Sequence, residues 1–198
     1  MKDVILHYDA LIDENNDPVH DPKPAKVYMD KWDGDAFIEA LQLSPDKSVL
    51  EIGVGTGRLA LRVHGKCESF NGIDISPKTI ERAKKNLKEF QNIRLICADY
   101  LTYTFDQSFD VVYSSLTFMH IKNKQMAIQK AWDLLNPGGR FVLSIDKNRQ
   151  TEIIYGARKI PAFPDTPEGT DTLLTKVGFS LENRVETEFA MIFTAVKG

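Results

Sequence analysis

The chain has 198 residues, of which 42% are hydrophobic and 27% are charged, and its formal net charge at pH 7 is −3. This composition is typical of a globular protein with one sizeable apolar core, so we expect a single domain over residues 1–198. The slightly acidic balance leaves no broad basic surface for nucleic acid, and no apolar run has the length of a membrane span, so we expect neither as a partner.

The two cysteines, Cys67 and Cys97, lie neither in a C-x-x-C motif nor at the spacing of metal ligands. We therefore expect two free thiols and no metal site, which favours a reducing compartment. The first residues also contain too short an apolar stretch and too many acidic side chains for a secretory signal. Together these features predict a cytoplasmic protein.

The first 34 residues have the least regular pattern of the chain. Prolines at positions 18, 22 and 24 and the polar run DENND interrupt the periodicity, so we expect an irregular arm before a core that spans residues 35–198. Asp35 is a candidate N-cap for the first helix of that core, because apolar residues follow it at helical spacing.

Residues 48–57 read SVLEIGVGTG, an apolar run that passes abruptly into three glycines. The apolar residues suit a short buried strand, and Gly53, Gly55 and Gly57 lack the Cβ atoms that would hinder a sharp turn or the approach of a ligand. The next residues, RLALRV, have the spacing of a helix, whose free N–H groups would face that ligand. A tight turn without any ligand would need glycine as well, so both interpretations stay open on these residues alone.

A second apolar run, FNGIDI over residues 70–75, contains Asp74, which lies 21 positions after Gly53. This spacing is typical of an acidic residue at the tip of the next parallel strand, where a carboxylate accepts hydrogen bonds from both hydroxyls of a ribose. The dinucleotide-binding fingerprint G-x-G-x-x-G fits less well, because it would require glycine at Arg58.

Two further strand signals follow along the chain. Residues 93–98 alternate and lead to Asp99, and the apolar run FDVVY over residues 109–113 is typical of a buried parallel strand. The ligand of an open parallel sheet lies beyond the carboxyl ends of its strands, so we expect His120 close to it. Since an imidazole with its ordinary pKa near 6.5 can accept a proton at neutral pH, His120 is a candidate general base. A histidine that only holds its loop in place is the alternative.

The alternation of helices and strands predicts an α/β fold with a parallel sheet. Residues 146–171 lack periodicity and contain three prolines, so we expect substrate-facing structure there. A short helix over residues 172–177 leads into two closing strands, residues 179–186 and 189–196. The connection between these strands is too short for a crossover helix, and they should therefore pair antiparallel.

Four segments in this order resemble the motif series of the class I S-adenosylmethionine-dependent methyltransferases: EIGVGTG, GIDIS, Ala98-Asp99-Tyr100 and LLNPGGRFVLS. The resemblance covers roughly residues 48–145, half of the chain. It implies a Rossmann-like seven-stranded, mostly parallel sheet with helices on both faces and a C-terminal antiparallel hairpin. It also implies S-adenosylmethionine as the cofactor and direct in-line transfer of its methyl group to a small-molecule acceptor.

The resemblance also implies a set of site residues. Asp99 occupies the position of an acid that accepts a hydrogen bond from the adenine amino group, with a turn cap as the alternative. N-terminal arms in this family often cover the cofactor as a lid, so Tyr28 and Trp32 are candidates either for ligand contacts or for contacts that only attach the arm to the core. The cofactor-binding residues implied in this way are Tyr28, Glu51, Gly53, Gly55, Gly57, Asp74, Ile75, Asp99, Tyr100 and Ser114.

Two other classes of function remain as alternatives. A nicotinamide-dependent oxidoreductase could use the same glycine turn and ribose acid, although Arg58 and the lack of a Tyr-x-x-x-Lys pair disfavour it. A non-catalytic S-adenosylmethionine-binding sensor or subunit would keep the glycines and Asp74 without an organised acceptor site. Methylation of DNA bases is disfavoured, because the chain has neither a Pro-Cys nucleophile nor an Asp-Pro-Pro-Tyr type of loop.

Overall fold

The computed structural model describes residues 2–198. Its strands are β1 (Ser48–Ile52), β2 (Ser69–Asp74), β3 (Ile93–Cys97), β4 (Phe109–Ser115), β5 (Leu135–Asp146), β6 (Glu152–Tyr155), β7 (Arg158–Pro161), β8 (Ser180–Glu186) and β9 (Ala190–Val196). Its α-helices are α1 (Lys2–Asp13), α2 (Lys23–Met29), α3 (Gly34–Ala40), α4 (Ala60–Val63), α5 (Pro77–Asn86), α6 (Lys124–Leu134) and α7 (Pro167–Val177).

Seven of these strands form one sheet in the order β3-β2-β1-β4-β5-β9-β8. The strands from β3 to β5 in that order are parallel, whereas β9 runs antiparallel to both β5 and β8. The predicted seven-stranded, mostly parallel sheet with a C-terminal antiparallel hairpin is thus confirmed. The strand order reverses between β1 and β4, and a crevice at such a reversal is the usual ligand site of an open parallel sheet.

The two faces of the sheet pack into two separate apolar cores, because successive side chains of a strand point to opposite faces. Val49 belongs to the core that α3, α4 and α5 cover, together with Phe37 and Ile80. Leu50 belongs to the core that α6 and α7 cover, together with Ile128 and others. Helices therefore cover both faces, as expected.

The N-terminal arm is not irregular, so that prediction is wrong. It forms α1 and α2, and within α1 the side chains of Val4 and His7 are buried one helical turn apart. The prolines that suggested irregularity all lie after Asp13, and the segment before them is free to form a helix. The N-cap of α3 is Asp33 rather than Asp35, because the Asp33 side chain accepts a hydrogen bond from the backbone N–H of Gly34 at 2.8 Å.

Carboxylates of the arm attach it to α5. Asp9 Oδ1 accepts hydrogen bonds from Ser76 Oγ at 2.7 Å and from the backbone N–H of Lys78 at 3.1 Å. The Asp13 carboxylate forms an ion pair with the same lysine, and Asp17, which is buried, accepts from Arg82. The arm thus lies beside the carboxyl end of β2, where α5 begins.

Residues 146–171 contain more regular structure than their sequence suggests. They include the β6–β7 hairpin, which forms a second, two-stranded sheet and packs through β7 against α1. The following helix, α7, begins at Pro167 rather than at residue 172, because Thr166 caps it by accepting from the N–H of Gly169 at 3.0 Å. No helix among residues 2–198 is long and apolar enough to cross a membrane.

Candidate active site

A cavity of about 300 Å³ lies at the carboxyl ends of β1, β2 and β4, next to the reversal of strand order. The turn after β1, the end of β2, residues 98–100 and the turn after β4 form its walls. The N-terminal arm closes it with Val4, Tyr8, Pro18 and Met29. The structure thus brings together most of the predicted site residues, although they come from distant parts of the sequence.

The glycines after β1 serve different purposes. A Cβ atom at Gly53, whose φ is +79°, would lie 1.9 Å from Thr117 Oγ1, so no larger residue fits there. Gly55 has a φ of +56° and lines the cavity, but a Cβ atom there would meet no protein atom within 4 Å. The space beside Gly55 is therefore open to a ligand. Gly57 does not line the cavity; a Cβ atom there would lie 2.8 Å from Leu87, which indicates a packing role.

Asp74 lines the cavity at the end of β2, where backbone groups hold its carboxylate. Oδ2 accepts from the N–H of Gly55 at 3.1 Å, and Oδ1 accepts from the N–H of Ser76 at 3.0 Å. Burial raises the pKa of Asp74, and these backbone hydrogen bonds oppose that shift. Because a carboxylate oxygen has two lone pairs, each oxygen can still accept a hydrogen bond from a ligand hydroxyl. Ile75, the next residue, also lines the cavity.

Asp99 and Tyr100 reach the cavity from the segment after β3. Asp99 Oδ1 accepts from the N–H of Leu101 at 2.9 Å, so this side chain caps a turn and lines the cavity at once. The Tyr100 hydroxyl donates to the carbonyl of Ala127 at 3.1 Å and is committed to the core. The ring of Tyr100 therefore offers an apolar surface, and Asp99 offers a second carboxylate.

Glu51, on β1, is buried and lines the cavity. Its Oε2 accepts a hydrogen bond from the Tyr113 hydroxyl at 2.9 Å. Burial raises the pKa of Glu51 to about 8, against the opposing effects of this hydrogen bond and of the Arg58 charge. The carboxyl group is therefore mostly protonated at neutral pH and can donate a hydrogen bond.

His120 lines the cavity from the turn after β4 and is only 9% exposed. Its Nε2 lies 2.9 Å from the Tyr8 hydroxyl, whereas its Nδ1 is buried without a hydrogen-bond partner in the described part of the chain. Burial lowers the pKa of His120 to about 4, and the charges of His7 and Lys124 act in the same direction. The imidazole is therefore neutral at pH 7, which is the state that can accept a proton.

Tyr28 and Ser114 are not among the residues that line the cavity. The half-exposed ring of Tyr28 packs against Trp32 and Phe189, with centroid distances of 5.5 and 5.7 Å. The indole N–H of Trp32 donates to Asp146 Oδ2 at 3.1 Å, so these aromatic residues attach the arm to the sheet. Ser114 is fully buried and donates to the carbonyl of Ile52 at 2.9 Å, which joins β4 to β1.

Several residues that line the cavity are not predicted from the sequence, among them Tyr8, Met29 and Thr117. On the sequence alone, Arg58 is only a departure from the dinucleotide fingerprint. In the structure, both terminal nitrogens of Arg58 donate to the carboxylate of the fully buried Asp33, which also accepts from Ser115 Oγ at 2.9 Å. Burial lowers the pKa of Arg58, but the hydrogen bond and charge of Asp33 outweigh that effect and raise it. Neither partner has a local sequence signal that points to the other.

The described residues contain no group of three or more His, Cys, Asp or Glu side chains that could hold a metal ion. Both cysteines are free, Cys67 buried and Cys97 exposed. The polar side chains that line the cavity are the carboxyl groups of Glu51, Asp74 and Asp99, the imidazole of His120, the guanidinium group of Arg58 and the hydroxyl groups of Tyr8, Thr56, Ser115 and Thr117.

The family model and the curated relatives that match this chain are all methyltransferases. Residues 50–143 match the family model described as a methyltransferase domain. The ubiquinone biosynthesis O-methyltransferase of Coxiella burnetii is 33% identical over 141 residues, which cover 68% of this chain and 58% of that protein. The chain spans about half the length of the curated relatives that it matches.

Two solved structures show the same fold. An S-adenosylmethionine-dependent methyltransferase from Mesorhizobium loti aligns with a TM-score of 0.72 at 18% identity, covering 83% of this chain and 97% of that one. The [4+2]-cyclase SpnF aligns with a TM-score of 0.68 at 18% identity, covering 80% of this chain and 78% of that one. Since the second protein is described as a cyclase, the fold by itself does not specify methyl transfer.

Proposed function

Because this chain belongs to the class I S-adenosylmethionine-dependent methyltransferases, we propose that it transfers a methyl group from S-adenosylmethionine to a small-molecule acceptor. The observation that carries the proposal is the open space beside Gly55, whose N–H is hydrogen-bonded to Asp74. This arrangement leaves room for a ligand against the backbone and holds a carboxylate next to it. When bound, S-adenosylmethionine supplies a methyl group on a positively charged sulfur, so the protein has mainly to bind, align and exclude water.

The cavity residues fit this cofactor. We assign the backbone around Gly53 and Gly55 to the close approach of the cofactor, Asp74 to the ribose hydroxyls and Asp99 to the adenine amino group. The neighbouring side chains of the cofactor site are Glu51, Ile75 and Tyr100. We do not assign Tyr28, Gly57 or Ser114 to the cofactor site. The Tyr28 ring packs against Phe189, a Cβ atom at Gly57 would meet Leu87, and Ser114 donates to the carbonyl of Ile52. The arm, which contributes Tyr8 and other residues to the cavity, would act as its lid.

The acceptor site lies in our proposal under the arm, beside His120. Arg58 is the one lysine or arginine among the lining residues of the described chain, and Asp33 already pairs with its guanidinium group. With His120 neutral as well, the cavity offers no free positive charge to an anion, so we propose an acceptor without strong negative charge. Its nucleophilic group would be a hydroxyl or amine, whose proton His120 accepts. We do not propose nucleic acid or a membrane as a partner, and two free cysteines agree with a cytoplasmic location.

Thermal melting with different ligands tests the cofactor assignment. S-adenosylmethionine and S-adenosylhomocysteine at a hundred times their Kd should stabilise the protein by about 2.7 kcal/mol, which corresponds to a rise in Tm of about 5–10 °C for a chain of this size. NADH should produce no shift. A rise in Tm with NADH alone would favour the oxidoreductase and exclude our assignment.

Turnover on a panel of phenols, alcohols, amines and carboxylic acids, followed by release of S-adenosylhomocysteine, tests the reaction. We expect methylation of hydroxyl or amine compounds, and His120→Gln should lower kcat about 100-fold without changing the affinity for S-adenosylhomocysteine. Binding of the cofactor without turnover on any class of acceptor would instead support a sensor or subunit.

A further inference from the structure

Two apolar residues line the cavity on the side of His120 without being part of either apolar core of the described chain. These are Val4, on α1, and Leu116, in the turn after β4. Val4 lies one helical turn before Tyr8 on the same face of α1, and the Tyr8 hydroxyl lies 2.9 Å from His120 Nε2. Leu116 precedes His120 by four positions in the same turn. Together they form an apolar wall of the cavity.

The backbone of Leu116 has a φ of +56°, a left-handed conformation that leucine rarely adopts. Both neighbours of this residue are held in place. Ser115 Oγ donates to Asp33 at 2.9 Å. The Thr117 side chain occupies the space that a Cβ atom at Gly53 would need. Glycine would adopt the conformation of residue 116 without hindrance, so the turn itself does not require leucine, and its side chain is better explained by a contact with a ligand.

The order of the strands places Leu116 beyond the proposed positions of adenine and ribose. Asp99 and Asp74, which we assign to these groups, lie after β3 and at the end of β2. The glycine turn follows β1, and Leu116 follows β4, the next strand in the sheet. Neighbouring strands lie about 4.8 Å apart, so the end of β4 is about 10 Å from the end of β2. The wall therefore lies across the glycine turn from the ribose, where an acceptor has room to approach.

Resting on the proposed function, we propose that Leu116 and Val4 are specificity-determining residues for an acceptor with an apolar body, an aromatic ring or hydrocarbon chain that carries the hydroxyl or amine group. The apolar body packs against the wall and keeps the nucleophilic group near the cofactor. Each methylene group that becomes buried in this way should tighten binding about fourfold. A small polar alcohol such as glycerol gains nothing from the wall.

Binding of phenols to the complex with S-adenosylhomocysteine tests the wall without any turnover. Ligand-observed NMR titrations give the Kd of phenol and of 4-ethylphenol, which is larger by two carbon atoms. The wild-type protein should bind 4-ethylphenol about tenfold more tightly than phenol. Leu116→Asn removes the apolar side chain but keeps a residue type that tolerates a positive φ, so it should lose most of this preference. Its affinity for S-adenosylhomocysteine should stay within about twofold of wild type.

Two matched variants separate the wall from apolar surface elsewhere. Leu61, on α4, is exposed and does not line the cavity, so Leu61→Asn should keep the full preference for 4-ethylphenol. Val4→Ala should lower the preference about threefold, whereas Leu6→Ala, on the exposed side of the same helix, should leave it unchanged. The comparison of Val4 with Leu6 decides the proposal even if Leu116→Asn fails to fold.

Equal affinity of the wild-type protein for phenol and 4-ethylphenol would overturn the proposal. A full preference in both Leu116→Asn and Val4→Ala would overturn it as well. So would binding of 4-ethylphenol to the free protein alone, with displacement by S-adenosylhomocysteine, because the wall would then belong to the cofactor site. If no class of acceptor is methylated, the proposed function fails, while the ratio of the two Kd values still decides whether this wall selects apolar ligands.

Discussion

Replacement of Asp74 by alanine tests the cofactor site most directly. The Asp74 carboxylate has one backbone hydrogen bond on each oxygen, from Gly55 and from Ser76, and can accept one more on each from a ribose. Hydrogen bonds to a charged acceptor contribute about 1.5–3 kcal/mol. Because about 1.4 kcal/mol corresponds to a factor of ten, Asp74→Ala should weaken the binding of S-adenosylhomocysteine about 10- to 100-fold.

Asp110 offers a matched control at the opposite end of β1. It accepts hydrogen bonds from the backbone N–H and the Oγ of Ser48 and from Asn136 Nδ2, each at 2.8 Å. Asp110→Ala therefore loses as many protein contacts as Asp74→Ala, or more, but no ligand contact. We expect both variants to melt below wild type, and only Asp74→Ala to bind the ligand more weakly in isothermal titration calorimetry.

The comparison separates binding from stability. An Asp74→Ala protein that is folded at the assay temperature and binds S-adenosylhomocysteine within about twofold of wild type, less than 0.5 kcal/mol, would refute the ribose assignment. Equal loss of affinity in Asp110→Ala would show that the effect arises from general destabilisation.

Three further predictions concern stability. Gly53→Ala should destabilise the protein by about 1–3 kcal/mol, since the added Cβ would lie 1.9 Å from Thr117 Oγ1, and thermal melting measures this loss. Glu51 keeps its proton up to a pKa of about 8 when folded, so the wild-type protein should lose stability relative to Glu51→Gln as the pH of the melting experiment rises from 5 to 8. Asp33→Asn should cost about 3–5 kcal/mol in urea unfolding, because it removes the buried carboxylate that pairs with the partly buried guanidinium group of Arg58.

Each of these three has its own control. Gly65→Ala adds a Cβ atom that meets nothing within 4 Å and should leave Tm nearly unchanged. A constant difference in Tm between wild type and Glu51→Gln from pH 5 to pH 8 would mean that the carboxyl group titrates normally. The double variant Asp33→Asn, Arg58→Gln should recover part of the loss, and a double variant as unstable as the sum of both single ones would show that the pair does not interact.

Asp99 and His120 each have two interpretations on the sequence alone. For Asp99 the two interpretations turned out to be compatible, because one oxygen caps a turn while the side chain lines the cavity. For His120 both interpretations stay open, because its Nε2 lies 2.9 Å from the Tyr8 hydroxyl, a contact that joins the loop to the arm, while the side chain also lines the cavity. Only the positions of atoms, not the residue types, distinguish these cases.

The sequence alone determined the parts of this protein that depend on neighbours along the chain. An apolar run followed by Gly53 and Gly55 predicted the strand and the turn, and a spacing of 21 residues placed Asp74 at the tip of the adjacent strand. Such signals work because strand and turn formation are governed by local backbone sterics, and because parallel strands end at the same edge of a sheet.

Only the tertiary structure determines which residues from distant parts of the sequence line the cavity. Tyr8 and Met29 line it, whereas Tyr28 packs against Phe189, because the path of the arm depends on which surfaces α1 and α2 bury. The protonated state of Glu51 likewise follows from burial, which no single residue type encodes. Side-chain contacts and pKa values arise from the packing of segments that are distant in sequence, and local sequence patterns carry no record of that packing.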